Sequence, residues 1–241
     1  MKNVKPIVIF GLGKISDVVY QHIVRDQSFQ VVAFTCDRQW LDATASEDGR
    51  HQGLPIVAFE DLEKTYPPEA VDMIIAIGYQ NLNASRLQKC NAAKAKGYQL
   101  VSYVSPKADH GHWLEIGENC VILDGVGIQP GAEIGNNVFI WNNALIGHHS
   151  TISNDCWIAA GVTIGGSTTL GERCFVGLNA TVGGEIVIGA DNLLGGAALI
   201  LKSTDDKSVF IAPGTEKFRL DSPTFLRMTS LPAMGSRQKR D

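Results

Sequence analysis

Every sixth residue from Ile116 to Ile200 is aliphatic: Ile116, Ile122, Ile128, Ile134, Ile140, Ile146, Ile152, Ile158, Ile164, Leu170, Val176, Val182, Ile188, Leu194 and Ile200. Ile, Leu and Val make up about a quarter of the chain, so fifteen in one phase would arise by chance on the order of once in a billion. Four positions after each aliphatic stands a small residue, Val or Thr in thirteen of fifteen cases, with Ile186 and Asn192 the exceptions; one position after it stands Gly in nine. A period of six is neither a helix period nor a simple strand alternation. It fits a short strand and a turn, repeated so that the aliphatics stack into a ladder inside a solenoid. The glycines then fall where the backbone turns and are expected to take φ > 0. A Gly-rich β-sandwich would need alternating strands with turns every 8–12 residues or so, and would not hold one phase for this long.

The first part of the chain has a different pattern. Ile7–Phe10 reads as a short buried strand, followed by Gly11-Leu12-Gly13 and a helical spacing through Val18, Val19 and Ile23. Further strands are expected at Val31–Phe34 ending near Asp37, at Ile56–Phe59, at Met73–Ile77 ending at Gly78, and at Leu100–Val104, with a helix from about Leu82 to Lys96. Strands alternating with helices predict a small Rossmann-like parallel α/β sheet. The expected division is an α/β domain over 1–105, an all-β left-handed parallel β-helix over 106–205 and a C-terminal extension over 206–241. In that extension Phe218 and Phe225-Leu-Arg-Met228 are expected to form a short amphipathic cap, with the last seven residues or so lacking fixed structure.

Composition narrows the function classes. The net charge of -4 argues against nucleic acid, although Arg237–Arg240 is locally basic. Gly11 and Gly13 interrupt the first apolar run, so neither a targeting segment nor membrane insertion is expected. Five cysteines without CxxC spacing speak against disulfides and a thiolate zinc site, and a cytoplasmic location fits them best.

The hexads resemble the left-handed β-helix of the hexapeptide-repeat acyltransferases, in which three hexads make one triangular coil; the stretch to about Asp205 would make about five coils. A β-helix behind a small α/β domain with a Gly-rich turn is similar to the sialic acid O-acetyltransferase type of sugar O- and N-acyltransferase. The resemblance implies a homotrimer that moves an acetyl group from acetyl-CoA to a nucleotide-linked amino sugar for surface polysaccharide synthesis, such as lipopolysaccharide, without a metal.

That chemistry needs a base for the nucleophile and a donor for the developing oxyanion. His148, in Ile146-Gly-His-His-Ser-Thr-Ile152, falls where the family carries its base, and His149 where the family often has an acidic residue. The group that orients His148 is left open. Gly166, eighteen residues after His148, falls where similar enzymes use a backbone N–H to polarise the thioester. Positions matching the family's CoA groove are Leu178, Gly184 and Gly195-Gly196-Ala197, then Pro213 and Lys217 in a departure from its terminal element. Trp157 replaces a histidine that binds the acyl donor in some relatives; an indole can donate one bond but cannot act as base.

The Gly11-Leu12-Gly13-Lys14 turn with Asp37 is a weak match to a dinucleotide fingerprint, lacking the third glycine, and is equally read as a tight turn without a ligand. Relatives use this turn, the acidic residue and a loop like Gly78-Tyr-Gln-Asn81 to hold a sugar nucleotide. O-acetylation of a sugar is the nearest alternative. A metal-dependent hydratase would need a ligand set such as His112 and His148, with Ser153 standing where the third nitrogen is required. A non-catalytic sugar-nucleotide-binding protein is the remaining alternative.

Overall fold

Two-residue strands separated by four-residue turns can close only if each pairs with a strand one full coil away. In the structure, a computed structural model that describes residues 5–44 and 49–229, they do so. Phe139–Ile140 pairs in parallel with Val121–Ile122 below and Trp157–Ile158 above, eighteen residues either way. Repetition of this pairing builds three flat faces. Face 1 carries Val121–Ile122, Phe139–Ile140, Trp157–Ile158, Phe175–Val176 and Leu193–Leu194; face 2 runs from Gly127–Ile128 to Leu199–Ile200; face 3 runs from Glu133–Ile134 to Val187–Ile188. The chain therefore forms the expected left-handed parallel β-helix behind a small α/β domain. Each ladder aliphatic from Ile122 to Ile200 points inward and is buried, and so is nearly every small residue four positions later.

The glycines one position after the aliphatics are not where the chain turns left-handed, contrary to expectation. Positive φ falls two residues later, at Asn119, Asn137, Asn143, His149 and Asp155, with values of 53° to 61°. Asparagine and aspartate tolerate that region through local hydrogen bonds. The glycines answer instead to the spacing between coils: a β-carbon on Gly171 would lie 2.7 Å from the Ala190 nitrogen.

In the α/β domain, β1 (Ile7–Phe10), β2 (Val31–Cys36), β4 (Leu54–Ala58) and β5 (Asp72–Ile75) are parallel, and β3 (Arg50–His51) forms an antiparallel edge on β4, in the order β3-β4-β2-β1-β5. Helices α1 (Lys14–Asp26), α2 (Arg38–Thr44), α3 (Leu62–Thr65) and α4 (Ala84–Ala95) connect them. The strand expected over Leu100–Val104 is divided. Leu100 makes a single bridge to Met73, whereas Tyr103–Val104 pairs with Val121–Ile122 as the first rung of face 1. Rung pairing and the α/β sheet thus share one continuous stretch of backbone.

Face 1 is also where the two parts pack. Its outward side chains Phe139, Trp157 and Phe175 lie under the loop before α4 and under α4 itself, while the outward residues of face 2, such as Leu145 and Leu199, are exposed. Beyond the last rung, Val209–Phe210, the helix α5 (Ser222–Thr229) buries no residue; Phe218 and Phe225 contact each other edge-on at 5.6 Å, so the expected cap does not pack down. The basic tail and the last seven residues lie outside the described residues.

Candidate active site

His148 sits at the corner between faces 2 and 3, in the turn after Leu145–Ile146. Its imidazole lies against Gly166 one coil above: a β-carbon on Gly166 would fall 2.6 Å from His148 Nε2 and Cε1. Coil spacing therefore brings the expected base and the expected donor into contact.

Amides at this turn position find no backbone acceptor in the adjacent coils. Where the next coil offers a side chain, it fills the role. Asn136 Oδ1 accepts from the Glu118 N–H, Asn154 Oδ1 from Asn136, and Asp206 Oδ1 from Ala190. At the His148 corner the next coils supply only Gly166 and Gly184. Among the described residues the N–H groups of Gly166 and Gly184 consequently donate to nothing. Two unpaired amides in line above an imidazole form a ready site for a carbonyl or an oxyanion.

The His148 N–H donates to Gln129 Oε1 at 3.0 Å, which fixes the turn from the coil below. His148 Nδ1 lies 3.2 Å from His149 Nδ1. One of the two must donate. With the proton on His148 Nδ1, its Nε2 keeps a lone pair for an incoming proton. His149 thus contacts the His148 ring through Nδ1, and its own ring rests on Gly131.

The remaining coenzyme candidates divide between two corners. Gly184 continues the His148 column, stacked over the Gly166 carbonyl. Leu178 and Gly196 stack at the corner between faces 1 and 2, where Leu178 is 60% exposed. Pro213 borders a shallow hollow with Leu199 and Ile211 at the end of face 2, and Lys217 lies beyond it on exposed chain. Exposed face 2 therefore lies between the two columns.

Trp157 does not join them. It is 4% exposed on face 1, stacked on Phe139 at 5.5 Å, against Trp141 at 5.2 Å and beneath Tyr79 at 5.2 Å. The expected coenzyme contact is corrected: the face that carries Trp157 is covered by the protein's own α/β domain.

What holds that cover is Arg86, which sequence inspection did not single out. It is fully buried, with its guanidinium 4.4 Å above the Phe139 ring. Its nitrogens donate to Asn137 Oδ1 at 2.8 Å, Asn83 Oδ1 at 2.9 Å, the Asn137 carbonyl at 3.0 Å and, more weakly, the carbonyls of Gly78 and Cys156. Burial pushes its pKa down to about 10, which leaves it charged at neutral pH.

In the α/β domain a cleft of about 580 Å³ opens at the carboxyl ends of β1, β2 and β5, where the strand order reverses around β1. Ligands of open α/β sheets bind at such reversals. Gly11, Gly13 and Asp37 line it together with Trp40, Gln80 and Lys89; Lys14, Gly78 and Asn81 do not. Gly11 has φ 127° and its β-carbon would lie 2.7 Å from the Ala76 carbonyl, so no other residue fits there. Asp37 is paired with Lys89 at 2.6 Å. Gly78 and Asn81 act behind the cleft, through the Arg86 contact and an Asn81–Ser85 hydrogen bond of 3.2 Å.

Among the described residues, three possible metal-ligand atoms converge only at His22, Asp26 and Asp124, and Arg25 already occupies both carboxylates there. His112 and His148 belong to no such group.

Residues 115–148 and 149–184, most of the solenoid, match the bacterial transferase hexapeptide (six repeats) family. Solved structures extend the likeness to both domains. A variant of perosamine N-acetyltransferase from Caulobacter crescentus, in complex with CoA and GDP-perosamine, is 23% identical with a TM-score of 0.74 over 85% of this chain and 92% of that one. The acetyltransferase domain of PglB from Neisseria gonorrhoeae, in complex with acetyl coenzyme A, is 22% identical with a TM-score of 0.75 over 86% and 96%. WeeI from Acinetobacter baumannii is 17% identical with a TM-score of 0.72 over 85% and 95%. At these identities the likeness establishes the shared fold. No curated protein sequence matches the chain.

Proposed function

We propose that the protein is an acetyl-CoA-dependent N-acetyltransferase acting on the amine of a nucleotide-linked amino sugar. The observation that carries this reading is the column of His148, Gly166 and Gly184, an imidazole beneath two unpaired amides. His148 Nε2 takes the proton as the amine attacks the thioester carbonyl, the Gly166 N–H donates to the tetrahedral oxyanion, and the thiolate of CoA leaves. A thioester is already activated, so no acyl-enzyme is required. Solved relatives hold CoA, acetyl-CoA or GDP-perosamine, which supports the same substrate classes here.

The cleft with Gly11, Gly13 and Asp37 is assigned to the nucleotide. The domain bearing it packs on face 1, whereas His148 is at the corner opposite that face. A homotrimer would set the His148 column of one subunit beside the Leu178–Gly196 column of the next and form the CoA groove between them. The reading places the enzyme in surface polysaccharide synthesis in the cytoplasm.

The test is acetyl-CoA with paired amino and hydroxy sugar nucleotides, followed by thiol release and product mass. Transfer to the amino member alone is expected, and His148→Ala should lower kcat by about 10²–10⁴ with little change in CoA binding. Absence of transfer, or near-normal turnover of His148→Ala, overturns the reading.

A further inference from the structure

Before its first regular hexad the chain makes a loop around residues 106–114 that lies beside the lower end of face 2. The Asp109 N–H donates to the Val126 carbonyl at 2.8 Å, and the Ile128 N–H donates to the Asp109 carbonyl at 2.9 Å. Loop and solenoid border an open hollow of about 350 Å³, lined by Asp109, His110, Trp113, Gln129, Pro130 and Leu145. This hollow shares a wall with the histidine pair. Gln129 is the residue whose side chain accepts from the His148 N–H, and the Pro130 carbonyl accepts from the His149 N–H at 3.1 Å. Leu145 begins the rung that leads into His148.

Its lining is chemically specific. Trp113 folds back onto Gly111, where a β-carbon would collide with the indole Nε1, yet 40% of the residue remains exposed. Among the described residues the Asp109 carboxylate has no hydrogen-bond or ion-pair partner. A flat indole lying against Gly111 and an unpaired carboxylate complement a pyranose, which offers a C–H face to the one and O–H or ammonium donors to the other. The volume is near the low end for a ligand pocket and suits one sugar ring rather than a nucleotide.

We propose that this hollow binds the sugar ring of the acceptor, with Trp113 as stacking platform and Asp109 as acceptor of its polar hydrogens, and so presents the nucleophile to His148. The proposal rests on the acyl-transfer reading. In it, Asp109 and Trp113 set specificity for the sugar, while Gln129 links an occupied hollow to the turn that carries the base.

The test combines binding and kinetics on the full chain. Saturation-transfer NMR with the methyl glycoside of perosamine, which needs no turnover, should show transfer to the wild type and none with Trp113→Ala. In steady state with GDP-perosamine, or whichever amino sugar nucleotide the wild type acetylates, Trp113→Ala and Asp109→Asn should each raise the acceptor KM by about tenfold or more and leave the acetyl-CoA KM within about twofold. Trp113→Phe should restore part of the loss. Glycoside binding that survives in Trp113→Ala, or an acceptor KM unchanged in both variants, overturns the sugar site while leaving acyl transfer standing. Loss of the oligomer in both variants by sedimentation, with both KM values rising together, also overturns it by making the hollow a subunit contact. A wild type that binds the glycoside but releases no thiol with any acceptor retains the sugar site and overturns the acyl-transfer reading alone.

Discussion

The His148 ring lies on the α-carbon of Gly166, one coil above, so closely that a single methyl group at 166 would displace the imidazole. Gly166→Ala should therefore displace the ring proposed as the base without removing it. The amide N–H survives, and φ at 166 is not in the left-handed region, so the coil itself tolerates alanine. Misplacement of a base by about 1 Å can cost about a hundredfold in rate. We expect kcat to fall about 10- to 100-fold, with a thermal midpoint close to wild type. A variant of wild-type activity would mean that the ring moves aside in the working enzyme.

His149 is predicted to orient that base through its Nδ1. Its φ of 55° complicates a simple alanine test, since the turn itself would be strained. Asparagine accepts this conformation readily, so His149→Asn separates ring from turn. The expected result is a kcat lower by about tenfold, an unchanged KM for both substrates and a displaced pH–rate profile. Unchanged kcat and pH profile would assign the orienting role elsewhere.

The solenoid was legible because its signal is repeated fifteen times in one phase, and because burial of each aliphatic depends only on its place in the hexad. The same arithmetic reached the His148–Gly166 pair. The family resemblance, by contrast, misplaced Trp157 at the coenzyme, since hexad counting gives the position along the coil but not which face another domain will cover. A signal for that cover was present: Phe139, Trp157 and Phe175 recur eighteen residues apart at the outward position of one face. Glycine was likewise misread as a turn residue. Contacts between coils favour it one position after the aliphatic, and the left-handed sites two residues later go to Asn, Asp and His, to Gly125, Gly131 and Gly161, and to Ser167, Arg173, Glu185 and Ala197. Arg86 carried no signal at all, because a lone arginine on a helix of mixed polar and small residues gives no hint that it will meet the carbonyls of a solenoid face.

Arg86 should be a stability residue of the first rank. Leucine in its place would leave Asn83 Oδ1 and the carbonyls of Asn137 and Gly78 without their donors inside a dry contact, while Asn137 Oδ1 would keep only Asn119 and the Cys156 carbonyl only the Phe139 N–H. Unsatisfied buried groups of this kind cost about 1–3 kcal/mol each and are not additive, so a net loss of about 3 kcal/mol or more is expected. Urea denaturation at neutral pH measures it. Arg86→Lys should recover less than half, because an ammonium cannot reproduce the planar fork that reaches Asn83 and Asn137 together. A loss under about 1 kcal/mol for Arg86→Leu would mean that water replaces these bonds.

The last prediction concerns acid. Arg25 of α1 donates to Asp124 in the first coil at 2.7 and 2.8 Å and to Asp26 at 2.6 and 2.7 Å, and Ser105 adds a bond of 2.6 Å to Asp124. These hydrogen bonds from Arg25 hold the Asp26 carboxyl down at about 2 and Asp124 well below the usual carboxylate range. A carboxylate whose pKa is lower folded than unfolded binds fewer protons in the native state. The stability it contributes is complete above its unfolded value of about 3.9 and is lost as the pH falls through the folded value. Asp124→Asn should thus be less stable than wild type at pH 6, with the difference shrinking below about pH 4 and going on shrinking as the pH falls toward the lowered folded value. Since Arg25 is partly exposed, high salt should reduce the difference as well. Chemical denaturation across that range reads both effects. A difference that stayed constant down to about pH 2 would show that Asp124 contributes through packing rather than through its charge.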